Sequence, residues 1–412
     1  MASADTNIDL TSNAMPATTA TTTATTATGS LLVSLVPLSQ EAFEATLSNL
    51  ALAFPNDTVL VATPDTAPQL SSGSPLRLIP YTPTAVSATP WVLTAADYLN
   101  TYKLAQENRV SSCLLLGAES QSLKPETIRT LASSTLTNDL SVAHYDLGPR
   151  EGLVNSGILY PVTRALFGTR PRFPLAIDLG VSLRMAGRLA ATAQRFTAAS
   201  QDDSFLWPLA EASTANFTIA EVEVTPRTIP QPANRDLNSL LALIAGSLFA
   251  DVDAKASFWQ RARGTQPAAQ FAAQPLPQTT HIAEPPDTAP MLDAFRLAYT
   301  NLHEIWSLVL PPNSLLGLKK LSMLQPESFR MPDNLWARIV YDFILAYRLR
   351  TINRGHLLGA LTPLYLAWVA SHLTLISTGT PPEKHVQDLA AAFETDKPYL
   401  VSRWRWPDRF NP

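Results

Sequence analysis

Residues 152–187 read GLVNSGILYPVTRALFGTRPRFPLAIDLGVSLRMAG. On an apolar background they carry Asn155 and Ser156, Tyr160 ahead of Pro161, then Arg164, Arg170 and Arg172, and they close on Asp178 and Ser182. A planar guanidinium donates two parallel hydrogen bonds to a carboxylate or phosphate, so three arginines leading to one acid suit an anion site. The same residues also fit a solvated helix face and a turn, with Asp178 as the N-cap acid of a helix over 180–189. The residues alone leave both readings open.

Working outward, the chain before this stretch alternates apolar runs with helical patterns. LLVSLV (31–36), TVLVA (58–62), LRLI (76–79), SCLLL (112–116) and SVAHY (141–145) read as strands. Between them Ser39 caps a helix with Phe43, Leu47, Leu50 and Phe54 on one face, Thr94 caps a helix over 93–108, and 124–136 reads as a third. Such alternation predicts a parallel sheet covered on both faces. Beyond the stretch, 218–224 alternates like a strand and 238–251 reads as a helix. Residues 264–290, rich in Pro, Gln, Ala and Thr, read as a linker. Helical patterns then cover 291–310, 315–324, 333–351, 355–377 and 383–395, with Trp306, Trp336, Tyr341, Phe343 and Tyr347 spaced for a core. The expected organisation is a disordered Ala/Thr-rich tail at 1–29, an α/β domain at 30–263, the linker, and a helical domain at 291–412.

Composition narrows the function. The chain has 412 residues, 46% hydrophobic and only 16% charged, with a formal net charge of −4. No large basic field is present to hold a nucleic-acid backbone. Cys113 is the only cysteine, which rules out an internal disulfide and a thiolate zinc site and fits a cytoplasmic setting. Residues 1–29 lack the basic and apolar regions of a signal peptide. From 357 to 377 there is no Asp, Glu, Lys or Arg, yet Pro363, His372 and several Ser and Thr favour a buried helix over a membrane span. The six histidines show no ligand-type spacing, and no Gly-rich phosphate loop or hydrolase motif occurs.

The order Asn-Ser, Tyr-Pro, Thr-Arg-Ala-Leu, Gly-X-Arg, Pro and Asp-X-Gly-X-Ser in 152–187, with 335–372 downstream, resembles a family of bacterial glycosyltransferases, the mannosylglycerate and glucosylglycerate synthases. The resemblance covers roughly 31–377. It implies a GT-A-like nucleotide-sugar-binding αβα sandwich followed by a mostly helical C-terminal region. It also implies transfer of a hexose from a nucleotide sugar, GDP-mannose or UDP-glucose, to a small acid such as glycerate. By that resemblance Asp178 lies beside the acceptor pocket, as base or hydroxyl orienter, with Asn155, Tyr160, Arg164, Arg170 and Arg172 binding substrate. A homo-oligomer is compatible with it.

The chain departs from that family where a Mg or Mn ion would be held. The Asp-X-Asp loop after the fourth strand reads Gly117-Ala118-Glu119, leaving Glu119 as the metal ligand. The family's late metal-ligand His falls near Ile229, with Arg227 and Thr228 adjacent. An expected acid falls near Phe205, with Asp202 and Asp203 just upstream. Its Gly-Lys-Gly segment is matched by ATPWVLTAADYLN, which has neither residue. Two functions follow: a glycosyltransferase with a weakened cation site, or a catalytically degenerate relative that binds a sugar nucleotide or a partner protein without turnover.

Overall fold

The computed structural model describes residues 31–63, 75–232, 236–262, 264, 268–272 and 287–407; the expected tail at 1–29 and most of the expected linker lie outside them. In chain order the first half runs β1 (Leu31–Leu35), α1 (Gln40–Ala53), β2 (Val59–Thr63), β3 (Leu76–Pro80), α2 (Ala95–Glu107), β4 (Ser112–Leu116), α3 (Pro125–Ser134), β5 (Leu140–Tyr145), α4 (Tyr160–Phe167), β6 (Asp178–Ser182), α5 (Leu183–Thr197), α6 (Pro208–Thr214) and β7 (Ile219–Val224). There follow α7 (Leu237–Ala254), α8 (Ala256–Trp259), β8 (Ala269–Ala272), α9 (Ala289–Asn301), α10 (His303–Val309), α11 (Pro312–Ser322), α12 (Asp333–Leu349), α13 (Arg354–Ser377) and α14 (Pro382–Arg405).

The sheet order is β3-β2-β1-β4-β6-β5-β7-β8. β1, β2 and β4 are buried along their whole length, which is why they read as mainly apolar runs rather than alternating ones. All neighbours pair parallel except β6, which lies antiparallel between β4 and β5. The sheet is therefore mixed. The predicted alternation holds for the strands before the quoted stretch, and the stretch itself supplies the reversed one. β8 sits inside the expected linker and pairs parallel with β7. The predicted caps are present. Ser39 accepts a hydrogen bond from the Ala42 N–H, and Asp97 accepts from the Thr94 N–H at 2.8 Å, closing the first turn of α2.

A second core is helical. It gathers Ile158, Val162 and Phe167 from the quoted stretch, Leu241 to Trp259, and Trp306, Trp336, Tyr341 and Trp368 further on. The expected helix over 291–310 is two helices, and α14 extends past the expected 395 to take in Trp404, which packs edge-on against Trp259. α4 is entered through a π-helical turn at Asn155–Leu159. There the Gly157 carbonyl accepts from Trp336 Nε1 at 2.8 Å, and a Cβ on Gly157 would stand 2.5 Å from the Trp368 ring. α7 and α13 are long and apolar enough to cross a membrane. Two thirds of α13's most apolar window is buried inside the fold, however, so its hydrophobicity is spent on packing.

Candidate functional site

The C-terminal ends of the parallel strands share one rim, and β6, running the other way, begins there with Asp178. In open α/β sheets this edge is where ligands bind. Asp178 is thus a strand residue; Ser182 is the N-cap of α5, its Oγ accepting from the Met185 N–H. Asp178 is 0% exposed. Its Oδ1 accepts from the Gly117 N–H at 3.2 Å and from Arg227 Nη2 at 3.0 Å. Its Oδ2 accepts from the Tyr145 hydroxyl at 3.2 Å and from Arg227 Nε at 2.7 Å. The Tyr145 oxygen in turn accepts the Ile177 and Asp178 N–H groups. A carboxylate has about four lone-pair positions, and all four are used.

Arg227 is equally saturated. Besides its fork on Asp178, Nη2 donates to the Ala118 carbonyl at 2.7 Å, and Nη1 donates to the Thr228 carbonyl at 2.8 Å and to Ser122 Oγ at 3.3 Å. Its side chain is 1% exposed. Burial lowers its pKa, but the charge and hydrogen bonds of Asp178 outweigh this and hold it above its ordinary value. Burial and the neighbouring Asp178 charge push the Tyr145 hydroxyl well above its usual pKa, so it stays a donor.

The implied divalent cation does not fit this donor set. Glu119 stands beside the cluster, but its Oε2 accepts from Gln121 Nε2 at 2.8 Å, and the cluster's other carboxylate, Asp178, is taken up by Gly117, Tyr145 and Arg227. A Cβ on Gly117 would meet the Ile177 Cβ at 2.9 Å, so the missing first acid has no room without a shift of β6's approach. Among the described residues no group of three or more His, Cys, Asp or Glu is placed to hold a metal ion. Asp203, one of the two acids upstream of Phe205, is tied to another loop. Its Oδ1 accepts from the Ala88 N–H at 2.7 Å and from Ser87 and Thr89, pinning the 87–89 loop.

Asn155, Tyr160, Arg164 and Arg172 gather elsewhere, towards α14. Arg164 forks onto Glu394, both bonds 3.0 Å, while its Nη1 and the Tyr160 hydroxyl both donate to Gln387 Oε1. Arg172 lies over the Tyr160 ring at 5.0 Å, donates to Glu383 at 3.1 Å and to Ser156 at 2.9 Å, and keeps a buried Nη1 without a hydrogen-bond partner. Asn155 Nδ2 donates to the Arg172 carbonyl at 2.8 Å. Arg170 is exposed. A cavity of about 800 Å³ opens beside Arg164, lined also by Gln260, Lys397, Arg405 and Trp406. Burial lowers the Lys397 pKa to about 8.

Sequence spacing missed one pair in this second region. His372 and His385 meet Nδ1 to Nδ1 at 2.7 Å, and His385 Nε2 faces Asp333 Oδ1 at 3.1 Å. Burial, then the His385 charge, lowers His372 to about 4. Spacing also gave no signal for Tyr145, or for Glu383, Gln387 and Glu394 as partners of arginines more than two hundred residues earlier.

No family model and no curated protein matches the chain. Solved structures do. Glucosyl-3-phosphoglycerate synthase from Mycobacterium tuberculosis in complex with phosphoglyceric acid is similar at 16% identity, over 55% of this chain and 80% of that one, with a TM-score of 0.32. The same enzyme with Mn²⁺, UDP-glucose and phosphoglyceric acid has the same four values. Its complex with Mg²⁺ and UDP is 15% identical over the same shares, also at a TM-score of 0.32. At this distance the likeness carries no conclusion about this chain's ligands or activity.

Proposed function

We propose that the chain is a glycosyltransferase-like protein that holds a nucleotide sugar, UDP-glucose or GDP-mannose, at the C-terminal rim of its sheet, with a small acid such as glycerate as acceptor. One observation carries this reading. The loop after β4, the head of β6, the end of β5 and the segment after β7 converge on a single buried ion pair at the edge where an α/β sheet takes its ligands. The resemblance at 152–187 names the ligand class. The residues would act by position and charge: the 117–122 loop and Arg227 form the floor on which a diphosphate rests.

A second reading, binding without turnover, is favoured by the state of Asp178. A general base must present an oxygen to the proton it takes. Both oxygens of Asp178 are engaged four ways, so it serves a sugar hydroxyl only if Arg227 lets go. Calorimetry with UDP-glucose and GDP-mannose, followed by a product assay with glycerate, tests both readings. Saturable binding with product formed supports transfer. Saturable binding without product supports the second reading. Heat traces indistinguishable from dilution for both nucleotides would sink the proposal.

A further inference from the structure

We infer that the rim carries its own cation: the Arg227 guanidinium stands among residues 117–119, Ser122 and Asp178 in place of a divalent ion, and ligand binding there proceeds without one. This deepens the reading above and rests on it only for the nucleotide arm of the test below.

Three observations lead to it independently. The first is charge. Arg227 neutralises Asp178 through two hydrogen bonds of 2.7 and 3.0 Å, which leaves Glu119 as the remaining negative charge of the cluster. A single carboxylate holds a hard divalent ion weakly, since such ions need several oxygen ligands. The second is saturation. Each N–H of Arg227 has an acceptor, and the acceptors come from the β4 loop (Ala118, Ser122), β6 (Asp178) and the segment after β7 (Thr228). One guanidinium therefore does the bridging between separate chain segments that a bound metal does elsewhere. It does so as a planar fork, a geometry to which Lys is unsuited. The third is shape. Gly117 is bare where a metal-binding acid would start the loop, and its N–H is turned onto the same Asp178, with Ile177 filling the room a side chain would need. A divalent ion would have to displace a buried, fully hydrogen-bonded ion pair, which carries a large desolvation cost once one partner is left alone.

The experiment uses the full chain and Mn²⁺ alone as probe, read by manganese electron paramagnetic resonance and by melting temperature in Mn²⁺ against EDTA. For the unaltered chain we expect no saturable Mn²⁺ uptake and the same melting temperature in both buffers. Arg227→Gln removes the charge while keeping a hydrogen-bonding amide; it is expected to melt lower in EDTA and to regain part of the loss in Mn²⁺. Saturable Mn²⁺ binding to the unaltered chain that disappears in Glu119→Ala overturns the inference, and so does an Arg227→Gln chain whose melting ignores Mn²⁺. Should the variant not fold, the unaltered chain and Glu119→Ala still decide. UDP-glucose titrated in EDTA forms a separate arm. Its failure counts against the nucleotide-sugar reading and not against the Mn²⁺ result.

Discussion

Two regions of this molecule bury arginines against carboxylates, and they do so for different ends. At the sheet's rim, Arg227 and Asp178 are both sealed from solvent and join segments of the α/β core. At the α14 contact, Arg164 and Arg172 meet Glu394 and Glu383, whose side chains are 30% and 57% exposed. The first is a closed electrostatic unit at the C-terminal rim of the sheet. The second is a staple between the quoted stretch and a helix more than two hundred residues later. Residue type and spacing look alike in the two places. Solvent access separates them, because it sets how much a lone charge costs when its partner is removed.

The largest expected effect breaks the comparison at the rim. Asp178→Ala leaves Arg227 buried without its counter-charge, and chemical denaturation is expected to report a loss of about 3–5 kcal/mol. A loss below about 1 kcal/mol would put the rim pair on a level with the partly exposed staples.

Next is the pH dependence of the helical side. His372 sits at about 4 in the fold against an ordinary 6.5. The unfolded chain therefore binds the extra proton between those values, and stability rises with pH through that window. It is complete above about pH 6.5 and is lost as pH falls toward 4. The shift corresponds to about 3 kcal/mol at most. Unfolding free energies of the unaltered chain and of His372→Asn, compared from pH 4 to 7, should show the variant with the flatter slope. Parallel slopes would remove this histidine from the account.

A smaller effect is expected at the π-helical turn. Gly157→Ala places a methyl 2.5 Å from the Trp368 ring, and overpacking of this kind costs about 1–3 kcal/mol. An unchanged melting curve would mean that the contact between the π-helical turn and α13 yields more easily than the rim. The smallest effect is the staple itself. A double-mutant cycle of Arg164→Ala and Glu394→Ala is expected to give a coupling of about 1 kcal/mol or less, screened further by salt. A coupling as large as that of the rim pair would erase the distinction drawn between the two regions.

Much of the α/β half is legible in order along the chain. β1, β2 and β4 lie wholly inside, so each is a short run dominated by Leu, Val, Ala and Cys with one small hydroxyl residue (Ser34, Thr63 or Ser112), and Ser39 announces the helix it caps. β6 was harder. Asp178 ahead of a helical pattern reads equally as a cap, and only its pairing with β4 and β5 makes it a strand. The candidate site was legible in part. Asp178 and the 117–119 loop do meet. Arg227, noted only as a neighbour of a missing His, turns out to bind both. Arg164 and Arg172 were legible as anion-seekers, but the anions they find are glutamates of α14.

By itself the sequence determined the elements that depend on local periodicity and capping: the apolar strands, the capped helices, the loss of acid at Gly117, and the absence of thiol chemistry beyond Cys113. Those features follow from neighbours within a turn or a strand, where spacing along the chain equals spacing in the fold. Tertiary structure alone decided which charge faces which. Arg227 and Asp178 are 49 positions apart, and Arg164 and Glu394 are 230 apart. Coulomb and hydrogen-bond energies depend on distance through space, which the order of residues does not encode.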